Sequence, residues 1–582
     1  MTASLPRWPP TALPAGLAPA MVRLRGHLQS RIGPDGGVRD PCHSRVLESA
    51  LLLALLDRTR LQPSARSRLA TYLSRHRDST EPLDRLLARA ALDRRPDPAD
   101  QLDLDHFLAH APNFTGPRKR ALLHAILLLL GGTPGTQMPL SEAFSLRGLH
   151  TWARVQVTAV KAVLAHGHGA TGSISEGDLE LLRSTQRPGT VWEGNLLIHL
   201  SVLHALALLP GHDRLVADGV RTALQHQCPD GGMPFICDED TWLTATAAVA
   251  VHTAAAPAAV LETLALRLRG LQQTDGGWSY TERAQLPDVD CTSVAIEALH
   301  LAGPTTHRAP IRRGLTALHA LRADDGGFPT YLAGAPSEAC MSAAAANALS
   351  TQGHRHRPAV DAALAYLDSQ QHPGGAFPPD WSSSRLHTAF RTTLAASHHP
   401  QPPGSPGQRI AGRAVRMVAN SQNPDGGWGQ QDGAPSDALS TAYALITLST
   451  QPTPGPAARG TAYLLSQQSP DGSIASIPDS IGPRPFRFTV PALADIFTLL
   501  ALGHLTHRLA PGLEHRIPAM TSMYVTAGAR PRCAARRPLP HQELDGPPGA
   551  GPRWSPCSPR AGCRCRGCCV RRPPRPTSCA SG

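Results

Sequence analysis

The sequence predicts an all-α protein built from helical hairpins that close into barrels or stack as a solenoid. Three observations predict it. A short glycine turn recurs along the chain, from Gly231 onward at intervals of about 45 to 50 residues. Each turn follows an Ala/Leu-rich stretch with helical periodicity, often ending in Gln, and precedes another that opens with Asp, Ser or Thr. Alternation of apolar and polar residues, the mark of strands, is scarce.

In chain order the turns are Pro34-Asp35-Gly36-Gly37, Pro229-Asp230-Gly231-Gly232-Met233 and Thr274-Asp275-Gly276-Gly277-Trp278. Asp324-Asp325-Gly326-Gly327-Phe328, Pro373-Gly374-Gly375-Ala376-Phe377, Pro424-Asp425-Gly426-Gly427-Trp428 and Pro470-Asp471-Gly472-Ser473 follow. Glycine lets the backbone reach positive φ just past a helix end. The glutamines before the turns (Gln227, Gln272, Gln273, Gln370, Gln371, Gln422, Gln467 and Gln468) can hydrogen-bond the backbone of a neighbouring helix terminus, with Trp or Phe as cover. Such a unit buries its apolar face only by stacking on the next.

These turns resemble the QW repeats of the squalene-hopene cyclase, oxidosqualene cyclase and class II diterpene cyclase superfamily. The run Asn423-Pro424-Asp425-Gly426-Gly427-Trp428-Gly429, followed by Pro435 to Leu445, carries the resemblance best, and it extends over most of residues 25–508. The resemblance implies two α/α barrels, the βγ architecture. Residues 25–255 would form a γ-type barrel and 256–510 a β-type barrel with the acid, after an N-terminal segment 1–24 and before a tail 511–582.

At 582 residues the chain has room for two cored domains. The apolar runs 51–56 and 122–130 fall short of the roughly 20 residues a membrane-spanning helix needs. Pro6, Pro9, Pro10 and Pro14 interrupt any apolar leader, so a cytoplasmic protein is expected. The net charge of +12 argues for nucleic acid only at first sight, because residues 527–582 hold eleven Arg against Glu543 and Asp545. The rest is nearly neutral. Seven of the twelve cysteines also lie in that Pro-rich tail, with a spacing that matches no zinc pattern. Its composition cannot build a core and reads as disorder or as GC-rich DNA translated out of frame.

The stretch that carries chemistry is Pro287-Asp288-Val289-Asp290-Cys291-Thr292-Ser293, two carboxylates at a helix entry just after a glycine turn. Asp followed by Thr and Ser is also what a helix cap looks like. Protonating an alkene needs an acid helped by a second group that stabilises the anion left behind, in a dry pocket that does not quench the cation. With i, i+2 spacing, one carboxyl can face a cavity while the other bonds backbone or a basic group. The segment is similar to the Asp-Xaa-Asp-Asp-Thr-Ala motif of squalene-hopene and class II diterpene cyclases, whose middle Asp is the proton donor. The resemblance makes Asp290 the donor and Asp288 its partner. Cys291 departs from that motif and resembles the Asp-Cys-Thr of oxidosqualene cyclases, where Cys assists the acid. A second patch, Cys237-Asp238-Glu239-Asp240-Thr241-Trp242, is expected as a cap or a lining segment.

Trp192, Trp242, Trp381, Tyr331 and Phe390 are candidate cation-holding walls. At 4% aromatic the lining should be sparse, which favours a fifteen- or twenty-carbon prenyl diphosphate over a thirty-carbon polyene. A diphosphate calls for arginines and helix N-termini, here Arg39, Arg45 and Arg385. Mg²⁺ as its counterion would be held by Asp40 or Glu48. No Asp-Asp-Xaa-Xaa-Asp cluster supports ionisation-initiated chemistry. The expectation is a class II cyclase that retains the diphosphate. Its competitors are a squalene-hopene-type triterpene cyclase, a zinc prenyltransferase β-subunit and a non-catalytic helical-repeat scaffold.

Overall fold

A computed structural model describes residues 6–95, 107–108, 115–132 and 144–510, so the Arg- and Cys-rich tail and its expected disorder lie outside the described residues. Its first helices are α1 (Leu17–Ser30), α2 (Val46–Thr59), α3 (Pro63–Ser74), α4 (Pro82–Asp93), α5 (Gly116–Leu129), α6 (Thr151–Gly167), α7 (Glu176–Ser184), α8 (Leu196–Ala207) and α9 (Asp213–Leu224). They continue as α10 (Asp240–Thr253), α11 (Ala258–Leu271), α12 (Val289–Ala302), α13 (Arg308–Leu321), α14 (Ala339–Ser350), α15 (Arg357–Gln370), α16 (Leu386–Ser397), α17 (Pro406–Asn420), α18 (Ala438–Ser449), α19 (Ala457–Ser466) and α20 (Ala492–Arg508). The described strands are two-residue pieces paired in two small ladders. The expected all-α fold is what forms.

A closed ring follows from burial. Every residue of α14 and α18 is buried, so these helices must be surrounded, whereas α17 buries a single stripe of Gly407, Ile410, Ala414, Met417 and Val418. Accordingly α10, α12, α14, α16, α18 and α20 each pack on the next, and α20 returns to α10. Around them lie α11, α13, α15, α17, α19 and α1. In the preceding segment α2 packs on α3, α4 and α8, and α6 packs on α5 and α8.

The glycine turns join the ring as their chemistry demands. Gly276 has φ +97°, and a Cβ there would stand 2.6 Å from the Arg313 carbonyl oxygen, so only glycine fits. The Gln272 amide donates to the carbonyls of Gly276 and of Pro310 on the next outer helix (2.8 and 2.9 Å). Trp278 donates its indole N–H to Leu268 O (2.7 Å) and its backbone N–H to Thr292 Oγ1 (3.0 Å). Gln422, Trp428 and Thr441 repeat the pattern half-way round the ring. Trp428 is fully buried, so Trp428→Ala is expected to cost about 3–5 kcal/mol of stability in a denaturant titration, and a loss below about 1 kcal/mol would show that the turn does not hold the hairpins.

One boundary differs from the expectation. The last turn staples to α1, where Gln468 donates to Ala20 O at 3.0 Å, and Val38 N–H bonds Thr244 Oγ1 of α10 at 2.9 Å, as Trp278 does to Thr292. Helices α1 and α10 therefore belong to the same ring as residues 256–510, and the segment from α2 to α9 is inserted between them. The physical reason is ring closure: the final inner helix needs an outer partner, and the N-terminal helix supplies it.

Candidate active site

Asp288 and Asp290 divide their work as their spacing allows. Asp288 is the N-cap of α12, its Oδ1 accepting the Cys291 backbone N–H at 2.7 Å, and its own N–H bonds the Trp278 carbonyl at 3.0 Å. The glycine turn thus fixes the start of the acid helix. Asp290, in the first turn, is not used as a cap. Its Oδ1 accepts from the Arg391 guanidinium on α16, two inner helices away, and Arg391 lies over the Trp242 ring at 5.5 Å. Thr292 serves the turn, and Cys291 is buried, its thiol pushed far up by burial and by the two aspartates.

Both aspartates open on a cavity of about 550 Å³, within the usual size of a small-molecule site. Glu239 and Cys291 also face it. Burial, and then the neighbouring Asp238, Asp288 and Asp290, push Glu239 up to about 8. Its Oε2 has no hydrogen-bond partner among the described residues. Burial pushes Asp288 up to about 7 and Glu297, further along α12, to about 8. Burial thus favours the neutral forms of Glu239 and Glu297, which lessens their opposition to the negative charge left on Asp290 once it has given up a proton.

A carboxyl whose folded pKa lies above its unfolded value favours folding fully below the unfolded value, and that contribution is lost as pH rises through the folded one. Glu239 has an ordinary value of 4.5, so its contribution is lost between there and about 8. Glu239→Gln is therefore expected to gain melting temperature on the wild type between about pH 5 and about pH 9. A gap that stays constant across that range would contradict a buried neutral Glu239.

The walls are aromatic. Ten aromatic side chains line the cavity, so the sparse lining expected from composition is wrong: folding gathers rings that the average dilutes. Trp152 meets Tyr331 and Tyr280 edge-on at 5.3 and 5.6 Å, and Tyr331 meets Trp381 at 6.2 Å. Trp242, Trp381 and Tyr331 are among the lining residues. Trp192 and Phe390 are not in the lining; Phe390 stacks on Tyr443 at 5.0 Å behind it. Trp152 and Tyr280 carry no local signal in the sequence.

A cationic group of residues faces the same cavity. Arg118 and Lys119, in the first turn of α5, join Arg484, which is ion-paired with Glu338 at 2.6 Å and lies over Trp381 at 4.4 Å. Burial, with Arg484 and Arg45 nearby, lowers Lys119 to about 7. No ion-pair partner for Lys119 stands among the described residues. The three arginines proposed from sequence do not line the cavity. Arg39 pairs with Asp35 at 2.6 Å, Arg45 with Glu48, and Arg385 with Asp432. Nor do the proposed metal ligands fit a cation: Asp40 binds Arg31 at 2.7 Å and the Ala492 N–H at 2.7 Å, while Glu48 is held by Arg45. Among the described residues no cluster of His, Cys, Asp or Glu is arranged to hold a metal.

An aromatic cavity walled by a ring of paired α-helices and by the helices inserted into it, with one cation-backed carboxylate at its wall, defines a catalyst that starts cyclisation by protonating an alkene. Residues 334–507 match the family model of the squalene-hopene cyclase C-terminal domain. A drimenyl diphosphate synthase of Streptantibioticus cattleyicolor is 41% identical over 534 residues, 87% of this chain and 98% of that protein. Another, from Streptomyces showdoensis, is 39% identical over 512 residues, 84% and 95% of the two chains. The solved ent-copalyl diphosphate synthase of Streptomyces platensis shares the fold, with a TM-score of 0.54 at 18% identity, over 84% of this chain and all of the other. The chain belongs to the class II terpene cyclases of the squalene-hopene cyclase superfamily. Among the described residues no helix is long and apolar enough to cross a membrane.

Proposed function

We propose that the protein cyclises a prenyl diphosphate of fifteen or twenty carbons, with Asp290 as proton donor and the diphosphate retained. The observation that carries this reading is the coexistence, in one aromatic cavity, of the Arg391-backed Asp290 and the cationic group Arg118, Lys119 and Arg484. Asp290 gives its proton to the terminal alkene, whose electron pair makes the new C–H bond and leaves a tertiary cation. The next double bond attacks that cation, and each closure moves the charge along the chain. Arg391 stabilises the carboxylate left on Asp290, and the ring faces of Trp242, Trp381 and Tyr331 stabilise the cation without reacting with it.

The names of the two relatives, each a synthase of a diphosphate, support retention of that group. Lys119, without a carboxylate partner, is the cation best placed to hold it; Mg²⁺ then enters as the diphosphate's counterion and not through Asp40 or Glu48. We read the two helical groups as γ-type and β-type barrels, and the enzyme as cytoplasmic. Incubation with farnesyl diphosphate, geranylgeranyl diphosphate and squalene, followed by dephosphorylation and mass spectrometry, tests the reading. A cyclised product from a diphosphate alone is expected. Product from squalene instead would make this a triterpene cyclase, and no product from any would leave a scaffold.

A further inference from the structure

A proton that enters the substrate must leave it again, and the cavity holds a basic group that initiation does not use. We propose that His387, oriented by Asp380, is the base that ends the cyclisation, an assignment that rests on the reading above.

His387 lies in the first turn of α16, is 6% exposed and faces the cavity that Asp290 lines. Its Nδ1 stands 3.0 Å from Asp380 Oδ2. Asp380 is buried as well, and it also takes the Thr388 hydroxyl and the Ser382 N–H, the latter at 2.7 Å. Burial pushes the Asp380 carboxyl up, whereas the hydrogen bonds from His387, Thr388 and Ser382 pull it down and favour its ionised form. An ionised carboxylate accepts only, so Nδ1 carries the hydrogen and the basic lone pair of the neutral ring falls on Nε2. Nε2 makes no hydrogen bond among the described residues. The ring is fixed edge-on against Phe390 and Tyr443, at 5.6 and 5.3 Å.

The other acidic groups of the cavity serve less well. Glu239 is held neutral, and Asp479 already takes the Ser382 hydroxyl (2.9 Å) and the Tyr443 hydroxyl (3.1 Å). Position on the helix adds a second argument. His387 is four residues before Arg391, the partner of Asp290, so the two share a face of α16 with Cβ atoms about 5–6 Å apart.

In the terminating step Nε2 takes a proton from the carbon next to the final cation. The electrons of that C–H bond become the new double bond, and the imidazolium formed is stabilised by Asp380. His387 then releases the proton to solvent and Asp290 regains one, so the overall reaction is an isomerisation.

The test compares the wild type with His387→Gln and Asp380→Asn, measuring substrate consumed and products formed. Without the base, water captures the cation. His387→Gln is expected to consume substrate within about tenfold of the wild-type rate while most product becomes a cyclic alcohol, one water heavier than the alkene. Asp380→Asn, which keeps an acceptor but removes the charge, is expected to give alkene and alcohol together. An unchanged alkene from both variants would overturn the assignment, as would lost consumption in both with circular dichroism and melting temperature retained. If the wild type itself cyclises no prenyl diphosphate, the failure lies with the proposed function and not with the base.

Discussion

Asp290→Asn is expected to abolish cyclisation, by at least about 10³-fold in kcat, while the helical circular dichroism spectrum stays that of the wild type. An amide keeps the size of the side chain and still offers an oxygen to Arg391, so the α12–α16 contact survives. What it lacks is a proton acidic enough for an alkene. Asp288 cannot substitute, because its carboxyl is committed to the Cys291 N–H as the cap of α12. Retention of more than about a tenth of wild-type turnover would show that another group is the donor.

Removing the partner should cost nearly as much. Arg391→Gln is expected to lower kcat by about 10²–10³, the range seen when a charge-stabilising donor is deleted from a closed site. Arg391 is 5% exposed and bonds the half-buried Asp290, so the variant should also lose about 1.5–3 kcal/mol of stability, the worth of a hydrogen bond to a charged group. The two effects separate experimentally. Arg391→Lys restores a charge without the planar fork, so it should recover most of the stability but only part of the rate. Equal recovery of both would mean that Arg391 acts on the fold alone.

The fold was legible because its determinants are local and repeated. A helix that ends in Gln, turns at Asp-Gly-Gly and covers itself with Trp announces a hairpin within some twenty residues, and several such hairpins announce a ring. Closure was not legible. The contact of α1 with α20 joins residues at opposite ends of the described chain, and no short window carries it. The site divides the same way. Asp288 and Asp290 are read from one heptapeptide, but Arg391 lies 101 residues from its partner, and Lys119 and His387 reach the cavity from separate helices.

The misplaced arginines teach the converse. Arg39 has Asp35 four residues before it, and Arg45 has Glu48 three residues after. Those spacings, visible in the sequence, already indicate cations satisfied by neighbours and not reserved for a ligand. Trp278 and Trp428 cover the turns, as each donates its indole N–H to the helix before it.

The most direct test of protonation-initiated cyclisation by Asp290 is the mass of the intact product formed in D₂O, measured before any phosphatase treatment. The exchangeable proton of the donor becomes deuterium, so the product is expected to keep its diphosphate and to carry one non-exchangeable deuterium, with Asp290→Asn forming none of it. A cyclised product without deuterium, or one that has lost its diphosphate, would contradict the assignment.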